Sequence, residues 1–279
     1  MSLIESAIKR ARARAGKDPQ TPTKSGLPRP PPPVAVPAER IPAMRLAVDP
    51  AVCSEHRILL DGWARDNERA VAAFRILRTR LLQRARLQQW TFIGITSASV
   101  NDGKSLTALN LALSLSRERN TEVVLLDLDM RNPSICRYLG VNPPHSLRDY
   151  FEQRITADEL FFSIGVEKLL FASGKVTTES ASELLGTRLL GDLKEYIRQR
   201  TMNPIVLIDL PPLLHTDDAL VVAPSVDALV LIAAEGHTDR VALNKALELI
   251  GEFPLAGLVL TRTIEASRQF EYGYGLPRT

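Results

Sequence analysis

Cysteine and histidine are scarce in this chain of 279 residues. Two cysteines, Cys53 and Cys136, cannot build a disulfide framework or a four-ligand zinc site. Four histidines, widely scattered, argue against a histidine-rich metal centre. Long apolar runs are missing as well. No window of 18 residues is free of both charge and proline, so no helix is expected to span a bilayer. The best candidate, 219–234, is cut by Pro224 and Asp227 and reads as a helix end, a turn and a strand. The start, Met-Ser-Leu-Ile-Glu, has no apolar signal core. The body also lacks an excess of positive charge. Residues 1–50 hold nine Lys/Arg against four Asp/Glu, whereas the remainder holds 26 against 28. The basic character therefore belongs to the N-terminal segment, and a nucleic-acid-binding core is not indicated. What remains is the expectation of a soluble protein of a reducing compartment, with an ordinary globular composition.

Proline is abundant in one place. Residues 19–50 carry ten of the nineteen prolines, including the run Pro30–Pro33. Proline neither donates to a ladder nor continues a helix, so an extended linker is expected there. Ahead of it, Leu3, Ile4, Ala7, Ile8 and Ala11 form a helical stripe, with Lys9, Arg10, Arg12 and Arg14 mostly off it. That segment suits docking on a partner or on anionic lipid, or a solvated helix. The expected division is a basic segment at 1–18, a linker at 19–60, a folded domain at 61–265 and a tail at 266–279. A chain beginning near Asp61 is then expected to keep the site.

From about residue 66 the texture changes. A basic helix is expected over 67–87, with Val71, Phe74, Leu77, Leu81 and Leu82 on its apolar face. Short runs rich in Val, Ile and Leu follow at 92–96, 123–126, 169–172, 205–208, 228–233 and 258–260, with helical patterns at 104–118, 182–200 and 238–251. Strands that are apolar throughout, alternating with helices, predict an α/β fold with a doubly wound, mostly parallel sheet.

Three strand ends carry chemistry. The first leads into Ala98-Ser99-Val100-Asn101-Asp102-Gly103-Lys104-Ser105, which has phosphate-loop spacing, with Ala98 where a glycine usually stands. Such a loop needs inward N–H groups at a helix N-terminus, a cation and a hydroxyl. Gly103 permits close backbone approach, Lys104 spans the β- and γ-phosphates, and Ser105 offers a ligand to Mg²⁺. Residues Ser99 to Leu106 are the expected nucleotide cradle. The second strand end is Asp127-Leu128-Asp129-Met130-Arg131, and the third is Asp209-Leu210-Pro211-Pro212. Carboxylates at the carboxyl ends of parallel strands face the ligand crevice, and Mg²⁺ favours carboxylate, phosphate and water.

These motifs resemble those of the bacterial tyrosine kinases of capsule and exopolysaccharide synthesis, from about Phe74 to Gly275. The matching residues are Thr96–Ser105, then Asp127, Asp129, Arg131 and Pro133, then Asp209, Pro211 and Pro212, with Ser182–Leu185 and Asp218-Ala219 beside them. The opening residues and proline linker resemble the branch tied to exosortase-linked operons. The resemblance implies an ATP- and Mg²⁺-dependent tyrosine autokinase of the phosphate-loop ATPase superfamily. It implies Lys104, Asp127, Asp129 and Asp209 as catalytic residues, with Asp127 as the base. It implies Ser105, Asp129 and Asp209 as metal ligands, Thr261 and Arg262 near the nucleotide, and Tyr272 and Tyr274 as phosphate acceptors. Arg75 and Arg78 fall on a family oligomer motif whose glutamate is replaced by Ala72. Thr261 stands where an adenine-contacting asparagine is expected. The implied setting is cytoplasmic, at the inner face of the membrane, through a separate polysaccharide co-polymerase or adaptor, with self-association and no nucleic acid. A positioning ATPase and a non-catalytic assembly subunit are the alternatives. The former looks for a lysine where this chain has Ser99.

Overall fold

Apolar strands and the helices between them assemble into a single sheet in the computed structural model, which describes residues 39–60, 67–175, 181–186 and 188–263. In chain order the strands are β1 (Met44–Arg45), β2 (Phe92–Ser97), β3 (Glu122–Asp127), β4 (Phe162–Ser163), β5 (Leu169–Ala172), β6 (Pro204–Asp209), β7 (Ala228–Ala234) and β8 (Leu255–Thr261). They lie in the order β1-β4-β5-β3-β6-β2-β7-β8. All neighbours run parallel except β4 and β5. This is the doubly wound α/β sheet expected from the sequence.

Every residue of β2 and β7 is buried, as a parallel sheet covered on both faces requires. The two-residue period divides each strand between two cores. Val124, Leu126, Val206 and Ile208 face one side with Leu193 and Ile197 of the helix Arg188–Arg200. Val123, Leu125, Leu207 and Ile95 face the other, with Leu109 and Ala112 of the helix Lys104–Leu115. Nearly all of that second helix is buried, because a further layer covers it: the helix Glu68–Gln88 with Leu81, Leu82 and Ala85, and the segment before it.

That earlier segment departs from expectation. Residues 39–60, read from the sequence as linker, pack on the domain. β1 pairs with β4, and Asp49 caps the helix Pro50–Glu55 by accepting from the N–H groups of Ala51 and Val52. Cys53, Ile58 and Leu59 are buried. Asn110, on the helix that follows the phosphate loop, fastens the segment. It accepts from the Leu59 N–H at 2.8 Å and donates to the Arg57 carbonyl at 3.2 Å. Proline density falls after residue 50, and the few apolar side chains there suffice for a strap on a surface that is already apolar.

Other differences are local. The helix expected over 104–118 stops at Leu115, where the Ser116 hydroxyl donates to the Leu113 carbonyl. The pattern at 182–200 divides into Ala181–Leu185 and Arg188–Arg200, around Gly186. β8 begins at Leu255, three residues before its expected start. Among the described residues no helix is long and apolar enough to cross a membrane. The segment 1–18, residues 19–38 of the linker, Asp61, and Tyr272 and Tyr274 in the tail lie outside the described residues.

Candidate active site

The strand order places β3, β6 and β2 side by side, so the three motif-bearing ends meet. Asp127 and Asp209 are direct partners across the β3–β6 pair, and Ile95 of β2 partners Asp209. Main-chain bonds keep these ends aligned beyond the ladder: Leu128 N–H to the Asp209 carbonyl, and Leu213 N–H to that of Ser97. The Thr96 hydroxyl donates to the Pro211 carbonyl at 2.7 Å, tying the start of the phosphate loop to the Asp-x-Pro-Pro motif.

The loop bends through two left-handed residues, Asn101 at φ 63° and Gly103 at φ 90°. Asn is among the residues that tolerate that region best. At Gly103 a β-carbon would meet only the Thr261 side chain, at ordinary contact distance, so conformation rather than space calls for glycine. Gly103 caps the helix that begins at Lys104. Val100 and Asn101 are exposed, Asp102 and Ser105 are buried, and Leu106 is half-buried against the core behind the loop.

Lys104 lies at the centre of the acids. Its ammonium is 2.7 Å from Asp129 Oδ2 and 3.4 Å from Asp209 Oδ1, and donates to the Ser105 hydroxyl at 3.0 Å. Burial opposes its charge, but the pull of Asp209 and then Asp129 outweighs burial and raises its pKa. Asp129 also accepts from the Asn132 N–H through Oδ1. Asp127 is fully buried. Its Oδ2 accepts from the N–H groups of Ser134 and Ile135, at 3.0 and 3.1 Å, and its Oδ1 has no protein partner. Burial, then the neighbouring Asp209, pushes the Asp127 pKa up to about 8, and burial raises that of Asp209 too.

When all three are ionised, the buried carboxylates around one ammonium leave two negative charges uncompensated. The donors are all hard oxygens, one of them free of any protein donor. That set fits a divalent cation such as Mg²⁺, which keeps its waters and needs only one or two carboxylates beside phosphate. Among the described residues there is no ready-made cage of three or more His, Cys, Asp or Glu.

The sign of the pH dependence follows. Asp127 binds its proton more tightly in the folded chain than in the unfolded one. The folded state therefore loses stability as pH rises from the ordinary carboxylate range to about 8 and then levels off. Thermal unfolding of the nucleotide-free protein is expected to show this decline, and Asp127→Asn to flatten it. An unchanged slope in the variant would assign the dependence to other groups.

Sequence reasoning overlooked Gly174. A β-carbon there would lie 2.7 Å from the Asp127 main-chain oxygen and 3.1 Å from Cβ of Pro133. Neither neighbour can swing aside. Gly174→Ala is expected to cost about 1–3 kcal/mol in stability through overpacking and to weaken Mg·ADP binding by shifting Asp127. Unfolding and calorimetry check both; a variant equal to the parent in both would show that this contact does not position Asp127. The position carries no motif, because it is set by the pairing of β5 with β3.

The structure sets other expected residues apart from the acids. The Thr261 hydroxyl donates to the Asp102 carbonyl at 2.7 Å, and Arg262 donates to the Asn101 carbonyl, so both grip the loop from behind. Arg131, from the second motif, makes a two-pronged pair with the buried Asp218, at 2.7 and 3.3 Å. Arg78 is engaged within the chain, with the Ser114 carbonyl at 2.9 Å and Glu118 at 3.1 Å, whereas Arg75 is exposed.

Known proteins resemble the chain in sequence and in fold. The chain is 26% identical over 204 residues to the tyrosine-protein kinase YwqD of Bacillus subtilis, spanning 72% of this chain and 84% of that one. It is 25% identical over 223 residues to the tyrosine-protein kinase CpsD of Streptococcus agalactiae, spanning 78% and 95%. The kinase domain of the Escherichia coli tyrosine kinase ETK superposes with a TM-score of 0.65 at 23% identity, covering 86% of this chain and 95% of that domain. The ParA family model, described as NUBPL iron-transfer P-loop NTPase, matches residues 90–261, which hold all three motifs and more than half of the sequence. By that match and by the loop, strand order and acids that account for it, this chain belongs to the ParA family of P-loop NTPases.

Proposed function

We infer that the protein is an ATP- and Mg²⁺-dependent protein-tyrosine autokinase of exopolysaccharide or capsule synthesis. The observation that carries this reading is the meeting of Lys104, Ser105, Asp127, Asp129 and Asp209 at three adjacent strand ends. It stands in a chain whose full-length relatives are named tyrosine-protein kinases. Phosphoryl transfer asks chiefly for positioning and charge neutralisation.

Lys104 neutralises charge on the phosphoryl group as its bond to ADP breaks and the bond to the tyrosine oxygen forms. Asp127 takes the tyrosine proton; a carboxylate whose pKa lies near neutrality suits that role. Ser105, Asp129 and Asp209 hold Mg²⁺, which when bound draws charge from the phosphate oxygens. The backbone of Ser99 to Leu106 cradles the phosphates. Thr261 and Arg262 act through the loop they grip.

The acceptors are Tyr272 and Tyr274 in the tail. Gly273 and Gly275 beside them permit an extended reach. Two of the three tyrosines of the body are committed elsewhere: the Tyr150 hydroxyl donates to the Leu189 carbonyl, and Tyr196 stacks on Phe161 and bonds Asp158. Arg75 belongs to a contact between copies. A separate membrane co-polymerase or adaptor recruits the kinase to the cytoplasmic face, and the basic segment and proline linker join that surface to the domain. A positioning ATPase is disfavoured by Ser99 at the place of its signature lysine.

Phosphopeptide mapping after incubation with ATP and Mg²⁺ tests the reading. Phosphate is expected on Tyr272 or Tyr274, and Tyr→Phe at both is expected to remove most of it while nucleotide binding persists. Phosphate confined to Tyr138, Tyr150 or Tyr196 would defeat the tail assignment.

A further inference from the structure

A carboxylate inside a phosphate loop calls for a physical reason, since it repels the ligand the loop is built to hold. Asp102 stands two residues before Lys104 and is fully buried. Its Oδ2 accepts from the Ser99 N–H at 2.9 Å, across the loop. Its Oδ1 accepts from Thr238 Oγ1 at 2.6 Å and meets His237 Nδ1 at 2.9 Å, both 135 or more positions away in sequence. The turn that carries these two residues is itself closed. Thr238 Oγ1 accepts from the Ala234 N–H at 2.8 Å, the N–H groups of His237 and Thr238 return to the Ala234 carbonyl, and Gly236 supplies a left-handed residue at φ 71°. The turn follows β7, the neighbour of β2, and its first residue is held to β8 through the Glu235 N–H and the Thr261 carbonyl.

We propose that Asp102, His237 and Thr238 form a latch that fixes the phosphate loop in its nucleotide-receiving shape, with His237 and Thr238 as positioning residues that touch no nucleotide. The three donors occupy the Asp102 oxygens and turn its charge toward the turn after β7. Capture of the Ser99 N–H arches the loop between Ser99 and Asp102. The ordering of the loop is thereby met by folding, and binding does not have to supply it. This inference rests on the reading of the site as a nucleotide site, but not on phosphoryl transfer.

Calorimetry of the full chain with ADP and Mg²⁺ tests it. Thr238→Val keeps the shape of the side chain and removes the hydroxyl. It is expected to weaken ADP binding about tenfold, the scale of a hydrogen bond to a charged group, at a temperature where the variant remains folded, and to lower the thermal midpoint because Asp102 and the Ala234 N–H lose a partner. Thr238→Ser restores the hydroxyl and is expected to restore affinity. His237→Ala is expected to weaken binding in the same sense. Variants that bind ADP as tightly as the parent would overturn the latch. So would a loss of affinity that serine fails to rescue. A parent chain that binds no ADP would instead overturn the nucleotide reading, and the latch with it.

Discussion

Lys104→Met is expected to lower phosphoryl transfer by about a thousandfold or more, the scale seen when a charge-stabilising group is removed from such a site. The ammonium is the cation that Asp129 and Asp209 share, at 2.7 and 3.4 Å. Methionine has similar length and no charge, so the cradle keeps its shape while the phosphates lose their partner. The folded chain should survive, with a native circular dichroism spectrum. It should not be equally stable at all pH values. Without Lys104, Asp127 and Asp209 lose the neighbouring cation that favours their charged forms, so their raised pKa values rise further. Breaking a buried pair from one side costs about 3–5 kcal/mol when the remaining charge stays ionised. The deficit against the parent is therefore expected to be large near pH 8 and smaller near pH 5, where Asp127 and Asp209 bind protons. Undiminished transfer by this variant would remove the phosphate loop from the mechanism.

The second large effect is in the strap. A chain beginning at residue 61 is expected to lose cooperative folding, whereas one beginning at Glu39 is expected to behave as the full chain does. The first deletion removes β1 and strips Ile41, Cys53, Ile58 and Leu59 from the core. At about 1.5–3 kcal/mol for each buried side chain, the loss is of the order of the whole stability of a domain. Asn110 would also lose both of its partners in a helix that begins at Lys104. Circular dichroism and thermal unfolding of the two truncated chains decide the matter. Equal stability of both would show that the strap only decorates the surface.

The strap also shows where the sequence stopped being legible. β5 could be read to the residue, because Leu169–Ala172 is a short apolar run in a parallel sheet. β1 and β4 hold two residues each, too few to display any period, and they exist because a neighbouring backbone is there to pair with. The start of β8 was hidden by Ala256 and Gly257, which resemble a loop until β7 is placed beside them. In the site, Asp127 and Asp209 could be found because each ends an apolar strand, and the register then makes them partners. Thr261 stands where the resemblance places an adenine-contacting asparagine, and the structure adds that its hydroxyl donates to the loop carbonyl of Asp102. His237 gave no signal: a lone histidine in a turn has no periodic neighbour, and its partner Asp102 is reached only through the pairing of β2 with β7.

The most direct test of the account is phosphoamino-acid analysis of the purified full chain after incubation with γ-labelled ATP and Mg²⁺. The account predicts label on tyrosine, absent when Mg²⁺ is removed and absent in Lys104→Met. Label released wholly as free phosphate, with none on tyrosine, would contradict it and assign the site to a hydrolysing ATPase.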